Sequence, residues 1–356
     1  MFKRFRSRYR PAIGVDITPA GINILQISQT ESKLSIENFA SEILPPHAIV
    51  DNQFKNIDVI AHCLKKIIST TSLSGYPAIL AVPDSAIVNK LLQIDKNLPE
   101  ESIEEAVYLE ASKQFNYPLQ EVSLDYSIAG PSKMNKEKLD IFITACRAEY
   151  INQRIETISR AGLSTQVVEP ESNAIERIIL LLKNRTKNQE ITATIALIKI
   201  NQLKIQLYVI KKNKTFFIHE ELLGNHQWIA AFGQSALNKE NILTEWNMQP
   251  KCQPSATNED FEIIIRQIKK MLQFFYSAHA NEVIEHLFLA GERELLAKLC
   301  LRLPDKIKIP VSIADPFADM LHSARICSQQ IIEKAPSLLI ACGLALRGSV
   351  NKYGWN

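Results

Sequence analysis

Apolar residues at every second position open the chain. Ile13, Val15 and Ile17 form one run, Ile22 and Ile24 a second, and Leu34 and Ile36 a third. A period of two predicts three strands in a meander. The first turn reads Thr18-Pro19-Ala20-Gly21. Proline presets φ there and glycine permits positive φ. A helical period follows over 59–69, and the apolar run 78–82, ending at Pro83, reads as a short buried strand.

The stretch 90–160 reads as a compact unit of its own. Pro99, Glu100 and Glu101 open a helix, since proline fits a first turn and acids favour its positive end. Ile103, Ala106, Val107 and Ala111 give that helix one apolar face. Strands are predicted over 125–128 and 140–145, then a helix with Ile151, Ile155 and Ile158 on one face and a stop at Gly162. A strand over 165–168 and a helix over 172–182 lead to the polar segment 183–190, the expected boundary between halves.

Beyond the boundary the pattern starts again. Strands are predicted over 194–200, 205–210 and 215–218. Phe261, Ile264, Ile265, Ile268, Leu272 and Phe275 fall at helical spacing over 260–275. A strand over 286–290 enters the turn Ala290-Gly291-Glu292, followed by a helix over 293–301, a strand over 309–313 and an apolar helix over 338–346. Two halves that each begin with a meander and continue with helices imply a duplicated α/β fold. Its halves are 1–185 and 190–356, with an inserted subdomain at about 86–162 and a closing helix at 337–347 expected to pack back towards the first half.

Composition narrows the function classes. With 356 residues, 46% hydrophobic and 22% charged, the chain is an ordinary globular protein long enough for a large core. The net charge of +3 gives no ground for nucleic-acid binding. Basic residues concentrate in Lys3, Arg4, Arg6, Arg8 and Arg10, interleaved with Phe2, Phe5 and Tyr9. That arm suits either a solvated terminus or a weak contact with anionic lipid or an acidic partner. Cys63, Cys146, Cys252, Cys300, Cys327 and Cys342 show no C-x-x-C spacing, which suits a reducing compartment and gives no support to a zinc ribbon or redox motif. No apolar run approaches the ~20 residues of a membrane span. The expected location is cytoplasmic. No phosphate-binding P-loop, nucleophile elbow or H-E-x-x-H occurs.

Several stretches resemble one family in order along the chain. They are Gly14-Val15-Asp16-Ile17-Thr18, Ala81-Val82-Pro83, Leu98-Pro99 with Glu104-Glu105-Ala106 and Glu110-Ala111, and Tyr117-Pro118-Leu119 with Val122 and Asp125-Tyr126. Near the end stand Ala314-Asp315-Pro316-Phe317 and Gly343-Leu344-Ala345-Leu346-Arg347. Together they resemble the PilM family of type IV pilus and competence systems. The resemblance implies an actin-like fold, ribonuclease H-like and related to the cell-division protein FtsA, with two lobes around a cleft. It implies a scaffold, peripheral at a bacterial inner membrane, that binds the cytoplasmic N-terminal peptide of PilN. Links to PilO, PilP, the pilus motor ATPases and the platform protein follow from that partner. Self-association is left open.

The resemblance also implies ATP and Mg2+ in the cleft. Asp16 would position the metal, with Thr18, Gly21 and Asn23 lining the first phosphate hairpin. The second hairpin departs from the family's Asp-Ile-Gly, because this chain reads Lys199-Ile200-Asn201. Lys199 can meet a phosphate as a point charge but holds no metal. Gly291 and Glu292 stand where the family has consecutive glycines. These changes imply nucleotide binding without efficient hydrolysis, at most a weak ATPase. Glu169, at the junction of the halves, is either a cleft acid or a solvated one. An active ATPase or kinase of the actin and sugar-kinase superfamily is the alternative, and no general base for it stands out. For the partner peptide, Leu91, Ile94, Ile103, Val107, Tyr108 and Phe115 are the candidate lining, with Tyr108 foremost because interfaces favour amphipathic aromatics.

Overall fold

A computed structural model describes residues 11–30, 33–115, 118–185, 193–201, 203–223, 258–323 and 326–349. The basic arm, Tyr117 and Cys252 lie outside the described residues. The chain begins with β1 (Ile13–Thr18), β2 (Gly21–Thr30) and β3 (Lys33–Ile43), then the hairpin β4 (Ile49–Val50) and β5 (Gln53–Phe54). Helix α1 (Ile57–Thr71) and β6 (Pro77–Val82) follow. The inserted unit holds β7 (Val88–Asp95), α2 (Glu100–Ser112), β8 (Val122–Pro131) and β9 (Lys138–Arg147). Next come α3 (Ala148–Arg160), β10 (Ser164–Pro170) and α4 (Glu171–Arg185). The second half contains β11 (Thr194–Ile200), β12 (Lys204–Lys211), β13 (Lys214–Leu222), α5 (Asn258–Ala278), β14 (Ile284–Ala290), α6 (Arg293–Ile307) and β15 (Val311–Ile313). It closes with β16 (Leu321–His322), α7 (Ser328–Lys334) and α8 (Leu339–Gly348).

The two large sheets repeat one topology. The first runs β10-β6-β1-β2-β3-β16 and the second β13-β12-β11-β14-β15. In each, the opening strand pairs antiparallel with the next strand and parallel with a later one. The parallel series continues with β10 beside β6 and β15 beside β14. The duplicated α/β fold expected from the two meanders is therefore present.

Strand β1 is covered on both faces, as a central strand of such a sheet must be. Ile13 and Val15 pack into a core with α1 residues Ile60, Leu64 and Ile67. The opposite face lies against α8, and a Cβ on Gly14 would stand 2.2 Å from the Ala341 carbonyl oxygen. The small residue lets a helix backbone come that close. Helix α8 and helix α4 lie together between the sheets, in one core with Leu25, Ile27 and Ile79 of the first and Ile195, Leu197 and Tyr208 of the second. The outer face of the second sheet packs on α5 and α6 through Ile198, Ile268 and Leu296.

The sequence reading needs correction at two helices. In α3 the buried residues are Arg154, Thr157 and Ile158, while Ile155 is exposed. An arginine takes the inward place because its donors are met inside. Its Nε donates to the Ala81 carbonyl at 2.9 Å, its Nη1 to the Tyr150 carbonyl at 2.9 Å, and its guanidinium lies over the Phe54 ring. Helix α6 runs past its expected end to Ile307, with Pro304 in its last turn.

Candidate functional site

Parallel strands β1, β6 and β10 end at one edge of the first sheet, the place where open α/β sheets gather polar chemistry. Asp16 lies on β1, Asp84 just after β6 and Glu171 at the start of α4. Opposite them stand Lys199 at the end of β11 and Tyr208 on β12. The Lys199 ammonium donates to Glu171 Oε2 at 2.9 Å, and the Tyr208 hydroxyl reaches the same oxygen at 3.4 Å. Ser172 holds Asp84 twice, through its backbone N–H at 3.0 Å and its hydroxyl at 2.6 Å. Asp16, Glu171 and Tyr208 are buried.

Burial and charge pull these groups in different directions. Burial pushes Asp16 up to about 6, against the attraction of Lys199. Burial, reinforced by Glu171, pushes Asp84 up to about 7. Burial is the largest influence on Glu171, but Lys199, Lys204 and Arg154 together outweigh it and hold the carboxyl below its ordinary value. Burial would lower Lys199, and Glu171 with Asp16 keeps it raised instead. The Tyr208 phenol is pushed well above its ordinary value by burial next to Glu171 and Asp84. Lys199 and Glu171 are therefore an ion pair, with two further acids close enough to feel it.

The other sequence candidates are spent on local structure. Thr18 Oγ1 donates to the Gly21 carbonyl at 3.1 Å, and Thr18 pairs with Gly21 across a two-residue turn. Between them Pro19 has no N–H to offer a phosphate. A Cβ on Gly21 would meet the Glu42 carbonyl oxygen at 2.5 Å, so this glycine answers to β3. Asn23 Oδ1 accepts from the Ser41 hydroxyl at 2.9 Å. Asn201 Oδ1 accepts from the backbone of Leu203 and Lys204, closing the second hairpin. Gly291 has φ +140° and lies against the Ile200 carbonyl, while Glu292 caps α6 by accepting from Leu295 N at 3.0 Å. Glu169 is neither a cleft acid nor a solvated one. It is buried, gripped by Arg177 at 2.7 and 2.6 Å and by Arg347.

A hydrated magnesium ion does not fit this donor set. Glu171 is taken by Lys199 and Asp84 by Ser172, and the place among the acids already holds a positive charge.

Asp84, Glu171, Tyr208 and Arg154 were missed in the sequence. Asp84 directly follows the strand-ending Ala81-Val82-Pro83, and Glu171 directly follows Glu169-Pro170. An acid just past the end of a parallel strand was the available signal in both cases. Tyr208 and Arg154 gave none, because they become polar neighbours only through tertiary packing.

The partner candidates separate into core and surface. Ile94, Ile103 and Val107 form the core of the inserted unit with Leu92, Ile141 and Ile143, so they are not available to a peptide. Phe115 is partly buried against that core, with the Lys90 ammonium 5.6 Å from its ring centre. Tyr108 is 39% exposed on α2. Leu91 is 58% exposed, but it lies on the opposite face of the small sheet, beside Phe142. The six residues do not line one groove.

Two comparisons bear on this arrangement. The model of the family described as type IV pilus assembly protein PilM matches residues 14–349. Among solved structures, the chain is similar to the PilM–PilN type IV pilus biogenesis complex, with a TM-score of 0.73 at 20% identity over 96% of this chain and 100% of that one. It also matches the ethanolamine utilization protein EutJ from Carboxydothermus hydrogenoformans, at a TM-score of 0.49 and 11% identity over 94% of this chain and 89% of that one.

Proposed function

The chain belongs to the PilM family of type IV pilus assembly proteins, with the actin-like fold, and from that premise we propose that it is a scaffold of the pilus machinery. Its partner in this reading is the cytoplasmic N-terminal peptide of PilN. PilN in turn ties it to PilO and PilP at the inner membrane, beside the motor ATPases and the platform protein. One observation carries the reading: the fold matches, over the whole length of that chain, a PilM solved together with PilN. No helix among the described residues is long and apolar enough to cross a membrane, so membrane association is assigned to the partner.

The inserted unit supplies the surface. Tyr108 and Leu109 are exposed next to each other on α2, and its outer side also carries Glu101, Glu104 and Glu105. An aromatic with a polar tip beside an aliphatic side chain is suited to a short peptide with apolar anchors. Nucleotide is not part of the proposed role. Lys199 is already committed to Glu171, and Ser172 holds Asp84 through two hydrogen bonds. Titration with ATP, with and without magnesium, checks this directly.

The test is calorimetric titration of the purified chain with a synthetic PilN N-terminal peptide and with a scrambled control. Micromolar binding of the first alone supports the scaffold reading. Equal heats for both, or none, overturn it.

A further inference from the structure

The duplication places corresponding positions of the two halves opposite each other. Asp16 and Lys199 each stand near the outgoing end of the first strand of their sheet. One half therefore presents a carboxylate where the other presents an ammonium. Around them Asp84 and Glu171 come from the same edge of the first sheet, and Arg154 lies close enough to act on Asp16 and Glu171. Three acids thus face Lys199 and Arg154, with Lys204 also acting on Glu171, and Lys199 is the cation of the other half that bonds directly to one of them.

An ammonium has three donors and no acceptor, which suits a position among carboxylates. Lys199 donates to Glu171 at 2.9 Å and lies within electrostatic reach of Asp16 and Asp84. A divalent ion in the same place would have to expel it and leave a buried ammonium without a counter-charge. We infer that Lys199 is a resident counter-cation, standing where a metal would stand among Asp16, Asp84 and Glu171, and that it latches the two halves together without metal. A cation attached to the chain cannot be removed by a chelator. The cleft is accordingly indifferent to magnesium, and metal binding returns only when the lysine is taken away.

The experiment uses the full chain after chelator treatment. Mn2+ is titrated and followed by the loss of its free paramagnetic resonance signal, and melting is recorded in EDTA and in millimolar Mg2+. The wild-type chain is expected to take up no stoichiometric Mn2+ and to melt alike in both buffers. Lys199→Ala is expected to lower the melting temperature by roughly 5 °C or more in EDTA, because it leaves buried acids unpaired. It should also bind one Mn2+ per chain and recover part of the loss, and Lys199→Ala with Asp16→Asn should bind none. A wild-type Mn2+ site that Asp16→Asn abolishes overturns the inference, as does a Lys199→Ala chain that melts like the wild type. If Lys199→Ala does not fold, the wild-type titration decides alone. The outcome is independent of the partner reading, since a chain that captures no PilN peptide still gives an answer here.

Discussion

Arg177 grips the Glu169 carboxylate with both terminal nitrogens, at 2.7 and 2.6 Å, and both residues are buried. The same guanidinium donates to the Gly343 carbonyl at 2.8 Å, and Arg347 approaches Glu169 from α8. One carboxylate at the end of β10 thus joins the connecting helix to the closing helix. Fork-to-fork geometry of this kind is strongly directional. Removing one partner from a buried pair costs about 3–5 kcal/mol where the other charge is left alone, and because Arg347 still meets Glu169 the lower end applies here. Arg177→Met is therefore expected to lower stability in a denaturant melt by that order. Added salt should leave the difference nearly unchanged, because screening acts weakly on buried pairs. A variant that melts like the wild type would show that this junction bears little of the fold's stability.

The cleft acids give the protein a pH dependence with a definite sign. Asp16 rises from 3.8 to about 6 and Asp84 from 3.8 to about 7, both by burial, so the folded chain holds these protons more tightly than the unfolded one. Their contribution to stability is complete below the unfolded value and is lost as pH rises through the folded ones. Glu171 is shifted the other way, and its contribution is lost only in acid. The groups facing the two raised acids are Glu171, Lys199, Arg154, Tyr208 and Ser172. Melting temperature is expected to fall between about pH 5 and about pH 8. Asp84→Asn should flatten the upper part of that slope. An unchanged slope in the variant would assign the dependence to other groups.

Much of the fold could be read in the chain because period and punctuation agree with it. The meander of Ile13 to Ile36 and its repeat after residue 193 carry the duplication in their alternation. The candidate site was less legible. Asp16 and Lys199 are identifiable as strand-end charges, but Glu171 lies 28 positions from its partner Lys199, and no local pattern connects them. Arg154 defeated the face reading of α3 for a related reason, since its inward donors meet the Ala81 carbonyl of β6 and its charge lies near Glu171 and Asp16 of other elements. Glu169 reads in sequence as a cleft acid or a solvated one because its arginines stand 8 and 178 positions away.

The closing helix is expected to be intolerant of added atoms. A Cβ on Gly343 would stand 2.3 Å from the Ala174 carbonyl oxygen, and other atoms of Ala174 lie within 3 Å. The obstruction is backbone, so no side-chain rotation relieves it. Overpacking typically costs about 1–3 kcal/mol, and a clash with a helix backbone belongs at the upper end or beyond. Gly343→Ala should lower the melting temperature and reduce soluble yield. If Gly343→Ala folds and melts normally, α4 and α8 can separate more easily than their packing implies.

Val107 and Tyr108 are neighbours on α2 with opposite surroundings. Val107 is fully buried against Leu92, Ile141 and Ile143, whereas Tyr108 is 39% exposed. Truncating the valine removes core methyl groups and leaves a cavity, at a cost of roughly 1–3 kcal/mol. Truncating the tyrosine removes mostly exposed area, and surface changes stay within about 0.5 kcal/mol. Tyr108→Ala is therefore expected to keep the wild-type melting temperature while weakening capture of the PilN peptide at least several-fold. Val107→Ala should destabilise the inserted unit, and at temperatures where it remains folded its peptide affinity should stay near wild type. Paired measurements of melting and peptide binding on both variants separate surface from core. If Tyr108→Ala binds the peptide as well as the wild type does, the contact lies elsewhere, and the exposed Leu91 and Phe142 on the opposite face of the small sheet become the next residues to change.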